Sequence, residues 1–296
     1  MLKNWLTKFF PDRTVIPDPR ALTDRLYWQK FHQKINYAAP ADFNEKIHWL
    51  KLYSDTSLWA ELTDKYKVRE YVQSKGLGQT LNELYAVWAT ADDIDIAPLP
   101  DSFIMKVNGG SGDKLVIRDK TKITNKKVQK HFRKHQNFGV ATCEPHYLRI
   151  QPCIIAEKLL SNDQPGLSTS LIDYKFFCFD GEPLYTKVIY NKNKSGITVA
   201  TYNSDWTFRP EAVRPSRYYR AGDGRALPRP QSYQQLLDYS RRLAAGFPFV
   251  RVDWYEIGGQ PIFGEMTFTP SAGFNDHFSQ AFLVELGSQI KLPPQA

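Results

Sequence analysis

The chain has 296 residues, with 39 Lys and Arg against 31 Asp and Glu, a formal net charge of +8. Hydrophobic residues make up 42% of it, enough for a sizeable core, which excludes an intrinsically disordered chain; the length suggests about two domains. No stretch approaches the ~20 apolar residues of a membrane-spanning helix, and three scattered cysteines (Cys143, Cys153, Cys178) are too few for a disulfide framework and suit the reducing cytoplasm.

In chain order, residues 1–10 place Leu2, Trp5, Leu6, Phe9 and Phe10 at helical spacing before Pro11. That amphipathic turn or two fits either a helix packed on its own domain or a peripheral membrane contact flanked by Lys3 and Lys8. Asp42 followed by Glu45 is a capping box opening a helix through Ile47, Leu50 and Tyr53. A second helix is expected from Thr63-Asp64-Lys65 through Val68 and Val72, ending near Gly76 or Gly78. Residues 1–97 therefore form a mainly helical region, closed by the linker-like Ala97-Pro98-Leu99-Pro100.

Two strand-like runs then flank a glycine-rich turn made of Asn108, Gly109, Gly110, Ser111 and Gly112, with Lys106 inside the first strand. Glycines let backbone N–H groups fold over phosphate oxygens, and a strand-anchored lysine supplies a fixed charge. An ordinary hairpin with an outward lysine fits the same residues. A basic helix follows in the run 121–135, where the net charge is densest. His131 and His135 lie four apart there, but a solvated basic face explains them better than a zinc site. Ile154-Ile155-Ala156-Glu157 is a buried strand running into Lys158, Leu159 and Leu160, a place where main-chain groups could meet an adenine edge.

Residues 174–179 and 184–190 alternate around Asp180-Gly181, a hairpin turn. The strip 214–220 joins Arg214, Arg217 and Arg220 to Tyr218 and Tyr219, a composition suited to uronate carboxylates and sugar faces, or to a plain basic loop. An amphipathic helix spans 231–245, and strands at 249–255 and 261–268 meet across Gly258-Gly259. Alternation puts Arg251 with Asp253 on one face, and Glu265 with Thr267 likewise. Two carboxylates converging beside an arginine suit Mg²⁺, which takes one or two carboxylates plus substrate phosphates; a solvated salt-bridge ladder is the alternative. The order of elements suggests an α+β class.

Taken together these pieces resemble an ATP-grasp enzyme, and FNEKIHWLKLY, TDKYKVREYV, LPDSFIMKVNGGSG, DYKFFCFDG and FPFVRVDWY…FGEMTFTPSAGF resemble the teichuronopeptide-biosynthesis (TupA-like) branch. The resemblance implies an ATP-grasp fold: two α+β subdomains clamping ATP, after a mainly helical N-terminal region. Residues 98–157 would be the small subdomain with the phosphate loop, and 158–296 the large one with the metal and acceptor sites. Lys106, the 108–112 loop, main-chain groups at Glu157 to Leu160, and Lys175 would bind ATP. Asp253 and Glu265, with Thr267, would hold Mg²⁺, and Arg251 would stabilise an acyl phosphate. Thr267 stands where many ATP-grasp ligases have asparagine, and Gly109 where the branch often has histidine. The implied activity is a cytoplasmic ligase, at the inner face of the membrane if 1–10 touches it. It would form an amide between an amino acid or other amine and a uronic acid of a surface polysaccharide or its precursor, bound by Arg217 and Arg220. No nucleic acid partner is expected. Two rivals are an ATP-grasp kinase that stops at phosphorylation and a non-catalytic basic protein binding polyanions or RNA; no RNA-binding signature supports the latter.

Overall fold

A computed structural model describes residues 16–110, 114–133, 139–222 and 226–294. The amphipathic segment 1–10, Ser111, Gly112 and the end of the basic run (Lys134, His135) lie outside the described residues. Among the described residues four α-helices come first: α1 (Pro19–Phe31), α2 (Phe43–Tyr53), α3 (Ser57–Thr63) and α4 (Val68–Ser74). Asp42 caps α2, its Oδ1 accepting from the Glu45 N–H at 3.0 Å. The Glu45 carboxylate does not return to Asp42 as a capping box would have it; it accepts from the N–H groups of Asn36 and Ala41, tying down the segment that enters the helix. The helix expected from Thr63 starts at Val68, because Asp64 Oδ1 accepts from the N–H groups of Tyr66 and Lys67 and turns the chain between α3 and α4.

Ten strands and three helices follow: β1 (Leu84–Trp88), β2 (Phe103–Val107), β3 (Lys114–Ile117), α5 (Asn125–Phe132), β4 (Ile154–Lys158), β5 (Asp173–Phe179), β6 (Glu182–Asn193), β7 (Gly196–Asn203), β8 (Tyr219–Ala221), α6 (Tyr233–Ala244), β9 (Phe249–Ile257), β10 (Gln260–Thr267) and α7 (Gln280–Gln289). Among the described residues no helix is long and apolar enough to cross a membrane. The chain divides into two compact units.

The first unit is built mainly from Thr56–Tyr71 and Leu81–Leu160. Its antiparallel sheet has the order β1-β4-β2-β3. Alternation along β2 sends Phe103, Met105 and Val107 into a core with Ile94, Ile96, Leu99, and Val128 and Phe132 of α5, leaving Ile104 and Lys106 on the other face. Within the basic run, Asn125–Phe132 is thus a helix with one buried apolar edge.

The second unit comprises Arg20–Asp55, Val72–Thr80 and Ser161–Ala296. Its sheet has the order β10-β9-β5-β6-β7-β8, antiparallel except for the parallel pair β7–β8. Two turns carry left-handed residue pairs: Asp180-Gly181 (φ 50°, 85°) and Gly258-Gly259 (φ 57°, 71°), the geometry that matches strand twist in a two-residue hairpin. Leu236, Leu237 and Leu243 of α6 are buried, and Ser240 Oγ accepts from Trp254 Nε1 at 2.9 Å. Trp254 shares its face with Tyr174 and Phe176; the opposite face carries Phe177 and Phe249 against Phe43 of α2, and beside them a row of charges.

Candidate active site

The charged row follows from strand register. Lys187 on β6 lies opposite Lys175 on β5, Lys175 opposite Asp253 on β9, and Asp253 opposite Glu265 on β10. One register neighbour over, Arg251 faces Thr267. A regular hairpin closed at Gly258-Gly259 would not produce this pairing. Up to Phe263, opposite Trp254, the register would carry Glu265 to Val252 and turn its carboxylate to the other face. Gly264 is the extra residue of a β-bulge that resets the phase. Only glycine fits there, since a Cβ would stand 2.8 Å from the Asp253 carbonyl oxygen. Gly264→Ala is therefore expected to cost about 1–3 kcal/mol and, by displacing Glu265, to lower turnover on the order of 10²-fold. Thermal melting and ADP release on the purified variant check both.

Within the row, Arg251 Nε donates to Asp253 Oδ1 and Nη2 to Asp253 Oδ2, both at 2.6 Å; Nη2 also reaches Glu265 Oε1 and Thr267 Oγ1, both at 3.0 Å. Lys175 Nζ bonds to Asp253 Oδ2 and pairs with Asp173 Oδ2 at 2.8 Å. Lys175, Arg251 and Asp253 are all buried. Burial alone would raise the Asp253 pKa, yet Arg251 and Lys175 hold it down at about 2. Burial likewise disfavours a charged Lys175, and Asp173 and Asp253 override it, raising the lysine above its usual value. Asp173 goes the other way: burial and the Asp253 charge raise it against the pull of Lys175. Its second oxygen, Oδ1, is buried with no hydrogen-bond partner among the described residues. The sequence assigns no role to Asp173; its place two residues before Lys175, on the same face, is the available signal.

In the first unit, Lys106 Nζ donates to Glu157 Oε2 at 2.8 Å, and Arg69 Nη1 lies 3.4 Å from Glu157 Oε1. Glu157 therefore offers a side chain between two cations, beyond the main-chain role expected of it. At the end of β4 the Lys158 N–H donates to the Glu83 carbonyl and its own carbonyl accepts from Asn82 Nδ2, both at 2.9 Å; Leu159 and Leu160 follow, half-buried. Asn108 departs from the phosphate-contact expectation. Its side chain is fully buried and spent on Asp64 Oδ2 (2.8 Å), the Gln151 carbonyl and the Cys153 N–H (both 2.9 Å), so it anchors the root of the glycine loop. The Gly110 carbonyl accepts from Lys65 Nζ at 2.7 Å, and Gly110 itself is left-handed at φ 67°.

The strip 214–220 ends as the edge strand β8. Arg217 is exposed; Arg220 Nη2 lies 3.5 Å from the Asn191 carbonyl, and no hydrogen bond joins either to the charged row among the described residues. Cys143 and Cys178 are buried; burial raises the Cys178 thiol and pushes the half-buried Cys153 thiol up to about 12, so neither of these two is a reactive thiolate at neutral pH. Among the described residues no group of three or more His, Cys, Asp or Glu side chains could hold a metal ion. Asp253, Glu265 and Thr267 bring side-chain oxygens together around Arg251, the donor type that Mg²⁺ takes alongside substrate phosphates.

The model of the family described as TupA-like ATPgrasp matches residues 45–291. The chain belongs to this family. Membership gives the chain an ATP-grasp fold. Among solved structures, this TupA-like chain is similar to D-alanine-D-alanine ligase from Helicobacter pylori, at 12% identity and a TM-score of 0.46, covering 86% of this chain and 68% of that one. It is also similar to L-amino acid ligase from Bacillus licheniformis (13% identity, TM-score 0.45, covering 87% and 55%) and to D-alanine-D-alanine ligase from Bacillus anthracis complexed with ATP (13%, 0.38, covering 70% and 55%). It thus spans little more than half the length of the latter two. None of the curated proteins matches it.

Proposed function

We propose that this TupA-like protein is an ATP-dependent ligase joining a carboxylate to an amine through an acyl phosphate. The acid in this proposal is a uronic acid of a surface polysaccharide or its precursor, and the amine an amino acid. The observation that carries it is the buried row in which Arg251 and Lys175 close on Asp253 beside Glu265, in a chain of the ATP-grasp family.

Phosphoryl transfer asks little covalent work of a protein; positioning and charge neutralisation dominate. Lys106 on β2 and Lys175 on β5 are strand-held cations for phosphate oxygens. Asp253, Glu265 and Thr267 would hold Mg²⁺, which would supply positive charge to the transferring phosphoryl group. Arg251, fixed by two hydrogen bonds to Asp253, presents a permanent planar charge suited to an acyl phosphate. Main-chain groups around Leu159 and Leu160 would meet the adenine, and the glycine-rich loop the phosphates. Exposed Arg217 and Tyr218, with Arg220 behind them, suit a sugar carboxylate and a sugar face. A reaction that consumes ATP belongs in the cytoplasm.

The test is ADP release by the purified protein with Mg-ATP, screening uronic acids against amino acids, with Lys106→Ala as control. Release that requires both partners and falls on the order of 10²–10³-fold in the variant is the expected result. Release with an acid alone, leaving a stable phosphorylated product, would make it a kinase; no turnover with any pair overturns the ligase.

A further inference from the structure

The ligase reading leaves one member of the charged row without a task. Lys187 sits one strand from Lys175 on the same face, and it is only 5% exposed. Its Nζ shares a hydrogen bond of 3.0 Å with His277 Nε2 and stands 5.3 Å from the Phe278 ring and 5.8 Å from the Phe177 ring. Among the described residues no carboxylate lies within ion-pair distance of it, in contrast to Lys175 with its two. His277 is itself held in place: its carbonyl accepts from the Arg214 N–H at 2.8 Å and its ring stacks on Tyr219 at 4.5 Å and 22°. His277 Nδ1 is buried with no hydrogen-bond partner among the described residues.

The charged groups facing Lys187 are Lys175 and Asp173 on β5, Arg251 and Asp253 on β9, and His277 before α7. Burial pushes its pKa well below the usual lysine value; the positive charges of Arg251 and Lys175 add to this, and the two carboxylates only partly oppose it. His277 is held down at about 2, chiefly by burial. The row thus ends in a buried amine that no carboxylate among the described residues pairs with.

The second half of a ligation needs a proton acceptor. An amino acid arrives as an ammonium ion, which has no lone pair and cannot attack. Lys175 and Arg251, whose carboxylate neighbours raise their pKa, serve as cations and accept no proton. We propose that Lys187 is the catalytic base that takes a proton from the incoming ammonium group, with His277 as the positioning residue that holds its Nζ. This rests on the ligase reading.

The step balances as follows. The proton passes from the substrate ammonium to Nζ, leaving a free amine and a lysine ammonium that can donate to His277 Nε2. The amine lone pair forms the C–N bond at the acyl carbon. The C–O bond to phosphorus breaks towards phosphate, which leaves with the electron pair and takes up the second amine proton. Lys187 then releases its proton to solvent as the products depart.

The experiment compares two nucleophiles on the acid substrate that gives the highest ADP release in the screen. Hydroxylamine is already largely unprotonated at neutral pH and traps an acyl phosphate as the hydroxamate; the amino acid must first lose a proton. Lys187→Met removes the amine and keeps an apolar chain of similar length. It is expected to retain hydroxamate formation within about threefold and to lose amide formation by ~10²–10⁴-fold at pH 7. The deficit should shrink as pH rises towards the ammonium's own pKa. His277→Gln should shift the pH profile of amide formation and leave the hydroxamate profile in place; an unmoved amide profile removes His277 from the proposal. If Lys187→Met, folded by circular dichroism, loses both products equally, or neither, Lys187 is not the base and the ligase stands. If the wild-type protein makes neither product from any acid, both readings fall.

Discussion

Asp253→Asn should abolish most activity and unsettle the fold at once: a loss on the order of 10²–10³-fold in ADP release and of about 3–5 kcal/mol in stability. The reason is geometric. Both Asp253 oxygens are engaged, Oδ1 by Arg251 Nε, and Oδ2 by Arg251 Nη2 and Lys175 Nζ. The amide substitution leaves two buried cations where the negative charge stood between them, and an uncompensated buried charge costs far more than a missing hydrogen bond. For a chain of this size the melting temperature should fall by about 2 °C per kcal/mol. Activity is therefore assayed at a temperature where circular dichroism finds the variant folded. An Arg251→Met, Asp253→Asn double variant separates the effects, because removing both partners should restore part of the stability and none of the activity. Full activity in folded Asp253→Asn would remove this carboxylate from the chemistry.

Acid should destabilise the protein from an unusually high pH. His48 and His277 are both buried and neutral in the fold, His277 at about 2 and His48 well below its ordinary value, in each case chiefly through burial. In the unfolded chain each would take up a proton below about pH 6.5. The unfolded state therefore binds more protons, and stability drains away as pH falls below 6.5, at ~1.4 kcal/mol per pH unit for each histidine. The drop continues towards the low native values. Against a total of about 5–15 kcal/mol, the roughly 5–6 kcal/mol that two histidines would withdraw by about pH 4.5 is a large share. Calorimetric melting between pH 7.5 and 4.5 measures the slope. His277→Gln should flatten it by about half; a slope unchanged in that variant would mean that His277 is protonated in the fold.

Much of this molecule is legible in its sequence, for identifiable reasons. Short strands bounded by left-handed turn residues, such as those around Asp180-Gly181 and Gly258-Gly259, announce themselves through local chemistry. The strand pair flanking the glycine loop is found where it is expected, because period-two alternation in FIMKV matches a sheet with one face in the core. By contrast, β7 and β8 pair in parallel across a long connection that carries no local signal. The candidate site is legible in part. Arg251, Asp253, Glu265 and Thr267 are expected to converge across the two-glycine turn, and they do, but that turn alone would send Glu265 to the wrong face. The missing element is Gly264, visible as the point where the apolar alternation of Pro261 and Phe263 changes phase to Met266 and Phe268. Asp173, Lys187 and His277 do not stand out along the chain, since their importance lies in burial and cross-strand register, which no spacing reveals. Asn108 reads as a phosphate contact because a glycine-rich loop hides that its first residue is sealed inside.

The hairpin of β9 and β10 also bears on how the row assembles. Arg251 meets Glu265 and Thr267 across 14 and 16 residues of chain, whereas Lys175 reaches Asp253 across 78. Closing the short loops costs little conformational entropy, and local pairings of this kind form fast. The acidic half of the row can thus be built by one hairpin zipping from its glycine turn. Lys175 arrives only when β5 docks along β9, so neutralising Asp253 from that side is a reward reserved for the finished sheet.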